Sequence, residues 1–214
     1  MENEEVFEAR ATDRLILFSD AVVAIAITLL ALELPVPAGR DASEFWTSVR
    51  EHDGHYLAFL ISFLVIAASW GGHHRIFRAV VRIDAPLRMM NMAWLLMIIL
   101  NPLATKMLTT EDHDSLGAHA LRYGFYALLQ VLASLALLAL SHHLTTHHLR
   151  AEEFRTPSAA RGGEQLYGII LGFGLSIPVF FLTPDAWALW IAGPLLTNRL
   201  YHPWRTRRDR LRNA

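Results

Sequence analysis

The stretch that most constrains this chain is Arg14 to Leu34, RLILFSDAVVAIAITLLALEL. It carries no charge between Ala21 and Leu32, and its apolar run reaches back to Leu15. At about 1.5 Å of rise per helical residue it covers most of a hydrocarbon core roughly 30 Å thick. Ser19 and Asp20 nonetheless lie inside it, about a turn and a half from its start. A carboxylate buried there is costly unless it is paired, so Asp20 marks a functional or structural site. Projected at about 100° per residue, Phe18, Ala21, Ile25, Thr28, Leu29 and Leu32 share one stripe centred on Ile25. Ser19 and Asp20 point well over about 100° away from it. Whatever the stripe faces, the carboxylate faces something else, and the Thr28 hydroxyl is the polar group deep in the stripe.

Five further apolar runs follow, at Tyr56–Gly72, Met89–Thr105, Tyr123–Ser141, Leu166–Thr183 and Ala186–Asn198, the last two divided by a turn at Pro184-Asp185. The expected fold is therefore an all-α integral membrane protein with six transmembrane helices in one domain spanning 1–214. Residues 1–13 form a lead-in helix or tail and 199–214 a basic tail. Six crossings put both termini on one side. With the N-terminus inside, the inner segments hold Arg10, Arg14, Arg75, Arg78, Arg82, Arg88, Arg150, Arg155, Arg161 and the six arginines from Arg199 to Arg212. Outside remain Arg40, Arg50, Lys106 and Arg122, beside Asp41, Glu44, Glu51, Asp53, Glu111, Asp112 and Asp114. That asymmetry places both termini in the cytoplasm and the chain in the cell membrane. Four glutamates precede any apolar run, so the N-terminus is not a secretory signal. Trp46 is expected to anchor the outer loop at the interface.

Composition narrows the function. The net charge of −1 argues against nucleic acid as a partner, and the absence of cysteine excludes disulfides and thiolate metal sites. Neither G-x-x-x-x-G-K-[ST], H-E-x-x-H nor G-x-S-x-G occurs, so common nucleotide and hydrolase chemistry has no support. The doubled pairs His142-His143 and His147-His148, with His73-His74, invite a membrane di-iron site of the H-x-x-x-H-H type. Such enzymes need more boxes than this chain has, so the ordinary expectation is polar interface residues, with a transition-metal site as the alternative.

Arg14, Phe18, Ser19 and Asp20 form R-x-x-x-F-S-D, followed by A-x-A-I-T-L-L. This resembles the first helix of the transmembrane-protein-175 potassium channels, with Ala21 where that family usually has Gly. The resemblance extends to W-x-x-H-H-R (Trp70, His73, His74, Arg75) in the second helix and to Asn91, Pro102 and Thr105 in the third. It implies a polar network of Arg14, Phe18, Ser19, Asp20, Trp70, His73, His74 and Asn91 behind the first helix. It also implies a homotetramer in which that helix lines a central pore, Ile25 forming the constriction and Thr28, Leu29 and Leu32 lying beyond. No T-V-G-Y-G filter is present. The function so implied is a potassium-permeable channel with modest preference over sodium, needing no cofactor and having itself, lipid and potassium ions as partners. Ala21, Ala24, Ala26 and Ala31 would allow close helix approach. The alternative is a proton-coupled carrier working through Asp20.

Overall fold

The computed structural model describes residues 2–110, 115–150, 161–197 and 199. Among them the regular structure is helical, apart from one antiparallel bridge between Val80 and Arg150. Helix α1 is Glu2–Leu32, α2 Ala42–Glu51, α3 Asp53–Phe77, α4 Ala85–Leu108, α5 Leu116–Thr146 and α6 Arg161–Val179. A 3-10 turn, Pro184–Trp187, leads into α7 over 188–197. The lead-in is thus continuous with the first long helix. The tail over 200–214 and the acidic residues Glu111, Asp112 and Asp114 lie outside the described residues.

Local chemistry sets the boundaries. Asp41 caps α2 by accepting from the amides of Ser43 and Glu44 at 2.8 and 2.9 Å. Asp84 caps α4 through the Leu87 amide at 2.9 Å, and Pro86 occupies the first turn, where a missing N–H costs nothing. Ser115 caps α5.

Among the described residues, four segments are long and apolar enough to cross a membrane: Arg10–Leu32, Asp53–Phe77, Ala85–Leu108 and Leu116–Thr146. The described apolar part of α6, Leu166–Val179, is shorter. The fifth apolar run, expected to continue to Thr183, leaves the helix after Val179. Thr183 precedes a proline, which disfavours helical backbone, and it adopts an extended φ, ψ of −153°, 142°. Its hydroxyl then accepts from the Asp185 amide at 3.2 Å and starts the 3-10 turn. The sixth run becomes that turn plus the ten residues of α7. Helices α6 and α7 pack closely because Gly168 and Gly172, one G-x-x-x-G pair, face Gly193, where a Cβ on any of the three would meet the opposite backbone.

Helix α1 buries Thr12, Ser19, Val23, Ala26 and Leu30, a three-and-four spacing that makes a single seam. That seam packs against α3 and α4 in one cluster with Ile66, Trp94, Leu95 and Ile98, and the cluster continues to Leu137, Leu140 and Leu144 of α5. A second cluster, at the other end, stacks Trp190 between Tyr123, Tyr126 and Phe173 at centroid distances of 4.9 to 5.0 Å. Trp190 Nε1 also donates to Ser176 at 2.8 Å.

Candidate functional site

The two faces of α1 differ sharply. Ile25 is 60% exposed and Leu32 75% exposed, whereas Ser19, six residues before Ile25, is fully buried. Phe18, Ala21, Thr28 and Leu29 are exposed with Ile25, so the whole stripe lies on the outside of the protomer. Ala24 and Ala31 are on the outside too, but Ala26 is buried in the seam and packs within the protomer. The Thr28 hydroxyl donates to the Ala24 carbonyl at 2.7 Å. Its proton is thereby committed along the helix and its oxygen lone pairs remain as acceptors.

Behind the seam runs a chain of hydrogen bonds. Asn91 Nδ2 of α4 donates to Ser19 Oγ at 3.0 Å, and Ser19 donates to the Leu15 carbonyl at 2.8 Å. Asn91 Oδ1 lies 2.7 Å from His73 Nε2 of α3, which makes Nε2 the donor of that pair. His73 is sandwiched between Trp94 and Phe77, with ring centroids 4.1 and 4.2 Å away. Its rotamer is therefore fixed by packing as well as by the amide. Beside this chain Trp70 Nε1 donates to Asp20 Oδ1 at 2.8 Å, and His74 tilts against Trp70 at 5.6 Å. Ser19, Asp20, Trp70, His73, His74 and Asn91 are thus brought together, and Trp94 joins them by donating to Ser69 at 3.0 Å.

Arg14 and Phe18 are not part of this arrangement. Both are exposed, and among the described residues neither joins these hydrogen bonds. The reason is register. Arg14 lies eleven residues before Ile25, close to three full turns, so it projects on the stripe side.

A second buried polar chain joins α3, α4 and α5, and of its members the sequence singles out only Thr105. Thr105 Oγ1 donates to Ser62 Oγ at 2.8 Å, and Ser62 lies 3.0 Å from the Tyr126 hydroxyl. One turn away Gln130 Nε2 of α5 donates to Asn101 Oδ1 of α4 at 2.6 Å. They are scattered polar residues in largely apolar runs. The only available signal was that a lone Ser, Asn or Gln in lipid must find a partner on another helix.

The histidines at the end of α5 do not converge on a metal. Among the described residues no group of three or more His, Asp or Glu is placed to hold one. Instead His143 Nε2 lies 2.7 Å from Asp84 Oδ2, and the His147 ring is 4.3 Å from that of His143. Burial alone would push the Asp84 carboxyl up. The hydrogen bonds from His143 and the Leu87 amide, with the charges of His143 and His147, more than offset this and leave it below its usual range. Arg150 donates to Ser141 Oγ at 2.8 Å, and burial lowers its pKa. At the opposite end, a cavity of about 420 Å³ opens between the ends of α1, α3 and α4. Glu33 and Lys106 pair across its rim at 2.7 Å, both well exposed, so that pair adds little to stability.

Residues 14–102 match the family model described as endosomal/lysosomal potassium channel TMEM175. The chain is 34% identical over 168 residues to a potassium channel of Streptomyces collinus, a match covering 78% of this chain and 81% of that one. It is 29% identical over 172 residues to the endosomal/lysosomal proton channel TMEM175 of Bos taurus, covering 75% of this chain and 34% of that protein. Its fold matches the crystal structure of a lysosomal potassium-selective channel TMEM175 homolog from Chamaesiphon minutus. The TM-score is 0.68 at 26% identity, covering 92% of this chain and 98% of the other.

Proposed function

The chain belongs to the TMEM175 family of ion channels, and from that premise we propose that four copies surround a potassium-permeable pore lined by α1. The observation that carries this is the asymmetry of α1. Its outward stripe is apolar with one hydroxyl, while its inward face is fixed by Asn91 and Trp70. A helix that only met lipid would have no use for such anchoring. A helix that must hold a constriction in register among copies needs it.

In such a tetramer four Ile25 side chains close the axis, and an apolar ring of that width sheds water until it widens. Potassium surrenders its hydration shell at less cost than sodium, so an apolar constriction favours it modestly. Thr28 sits one turn from Ile25 with its oxygen presented as an acceptor, suited to replace part of that shell. Leu29 and Leu32 line the path beyond. Since the sequence contains no T-V-G-Y-G segment, carbonyl-filter selectivity is not invoked. The arginine distribution puts both termini in the cytoplasm and the protein in the cell membrane. In this arrangement α6 and α7 supply the fifth and sixth crossings.

A second reading, a carrier coupled to protons through Asp20, draws on that carboxylate's position at the edge of the polar chain, half-buried and bonded to Trp70. The deciding experiment is a planar-bilayer recording of purified protein under bi-ionic potassium and sodium. A channel gives unitary currents and a reversal potential displaced toward potassium, and Ile25→Asn should raise the leak about tenfold or more by wetting the constriction. Flux without unitary events would identify the carrier, and a leak unchanged in Ile25→Asn would remove α1 from the pore.

A further inference from the structure

At the arginine-rich end the loop 78–84 and the segment after α5 are fastened together. The Val81 amide donates to the Leu149 carbonyl at 3.0 Å, and Val80 bridges Arg150. His143 meets Asp84 at 2.7 Å. Asp84 has two tasks at once, because its other carboxylate oxygen caps α4 at Leu87. Seven residues further, two turns along α4, stands Asn91, which holds Ser19 of α1. A movement of the first turn of α4 therefore reaches the back of α1 through one rigid helix.

We propose that the His143–Asp84 pair positions α4, and through Asn91 the first helix, in a proton-dependent way, so that the pore responds to pH on the arginine-rich side. This rests on the channel function proposed above. Imidazole is the side chain that ordinarily gains its charge between about pH 5 and 8. Neutral His143 donates an ordinary hydrogen bond to Asp84, and protonated His143 adds the attraction of a charged pair. The surrounding groups weigh on both states. His147 lies tilted beside His143, Arg150 is bonded to Ser141 two residues back, and Arg78 and Arg82 stand on the facing loop. Arg88 lies in the first turn of α4, and His142 and His148 flank the pair on its own chain segment. These cations disfavour a further positive charge, while Asp84, the carboxylate bonded to His143, favours it. Acid on this side thus tightens the latch and alkali loosens it. Because Asn91 restrains α1, a tighter latch opposes widening of the constriction.

Two measurements test this, and they fail separately. Thermal unfolding of purified protein between pH 6 and 8 should show a pH-dependent midpoint in the native chain. That dependence should flatten in His143→Gln and in Asp84→Asn, whose Asn still caps α4. In bilayer recordings, moving the arginine-rich side from pH 8 to 6 should lower open probability roughly threefold. In both variants that response should disappear, while the reversal potential stays unchanged. A pH response of full size in both variants overturns the proposal, as does a midpoint whose pH dependence is unaltered by either substitution. If no currents are seen at all, the channel function fails, yet the unfolding data still decide whether the latch is proton-dependent.

Discussion

At the arginine-rich end of the bundle Asn91 ties Ser19 of α1 to His73 of α3, whereas toward the other end Ser62 ties Thr105 of α4 to Tyr126 of α5. The two chains are built alike, from short hydroxyls, carboxamides (Asn91 in the first, Asn101 and Gln130 in the second) and aromatic partners. They differ in what they hold. Helices α4 and α5 each bury 44% of their spanning stretch within the protomer, while α1 buries 22%. Packing alone fixes α4 against α5, and the polar chain between them adds specificity. On α1 there is less packing to rely on, because one face is left free, so its few hydrogen bonds decide where the helix sits. Buried polar bonds therefore matter more on the sparsely buried α1 than between α4 and α5. The same pattern predicts different consequences for equivalent substitutions in the two chains.

The largest effect is expected from Asn91→Leu. It removes the donor to Ser19 and the acceptor for His73 together, leaving buried His73 Nε2 without a partner and Ser19 with only its bond to the Leu15 carbonyl. Unsatisfied groups of that kind cost about 1–3 kcal/mol each. Thermal unfolding should drop accordingly, and the tetramer proposed above should dissociate on size-exclusion chromatography. A stable tetramer with native unfolding would show that packing holds α1 after all, and would erase the contrast drawn here. Asp20→Ala comes next. It strips the acceptor from Trp70 at a half-buried site, so about 1–2 kcal/mol is at stake. Assembly should weaken while the ionic preference of surviving channels stays the same. Full recovery of tetramer with changed ion dependence would move Asp20 from anchor to relay.

How much of this was legible beforehand follows from the same comparison. The first chain announced itself because Ser19 and Asp20 interrupt an apolar run, and a projection at about 100° per residue put them opposite Ile25. Trp70, His73, His74 and Asn91 then stood out as donors at the matching depth. Arg14 was assigned to that group by motif alone, and its register, three turns from Ile25, places it elsewhere. Helix α2 could have been read from D-A-S-E at Asp41–Glu44, since an N-cap carboxylate with Glu three residues on signals a helix start. The second chain had no such signal. Its partners on different helices are separated by 29 to 64 residues along the chain, and apart from Thr105 none belongs to a quoted motif. The division of the last apolar region depended on a proline preceded by a threonine, whose effect on the backbone is a tendency rather than a rule.

Ser62→Ala tests the other half of the contrast. It unpairs the Thr105 and Tyr126 hydroxyls, but Thr105 keeps its bond to the Asn101 carbonyl at 2.9 Å. The cost should be near 1 kcal/mol, visible in unfolding. Conductance and reversal potential should be native, because among the described residues none of the hydrogen bonds of this chain reaches α1. A shifted reversal potential in Ser62→Ala would mean that the two chains communicate, and the division of labour between them would fail.

The smallest structural effect, and the sharpest functional one for its size, is expected from Thr28→Ala. The hydroxyl is exposed and its proton goes to a carbonyl of its own helix, so stability should change by no more than about 0.5 kcal/mol. What disappears is the oxygen that, in the tetramer proposed above, is offered to the axis. If four such oxygens replace part of the potassium shell, the bi-ionic permeability ratio should fall about two- to threefold, because only partial desolvation is being compensated. The remaining preference would come from Ile25, which discriminates by stripping water rather than by supplying ligands. A reversal potential identical to that of the native chain would assign the whole preference to the apolar ring. Thr28 would then be left as a helix residue whose hydroxyl serves only its own backbone.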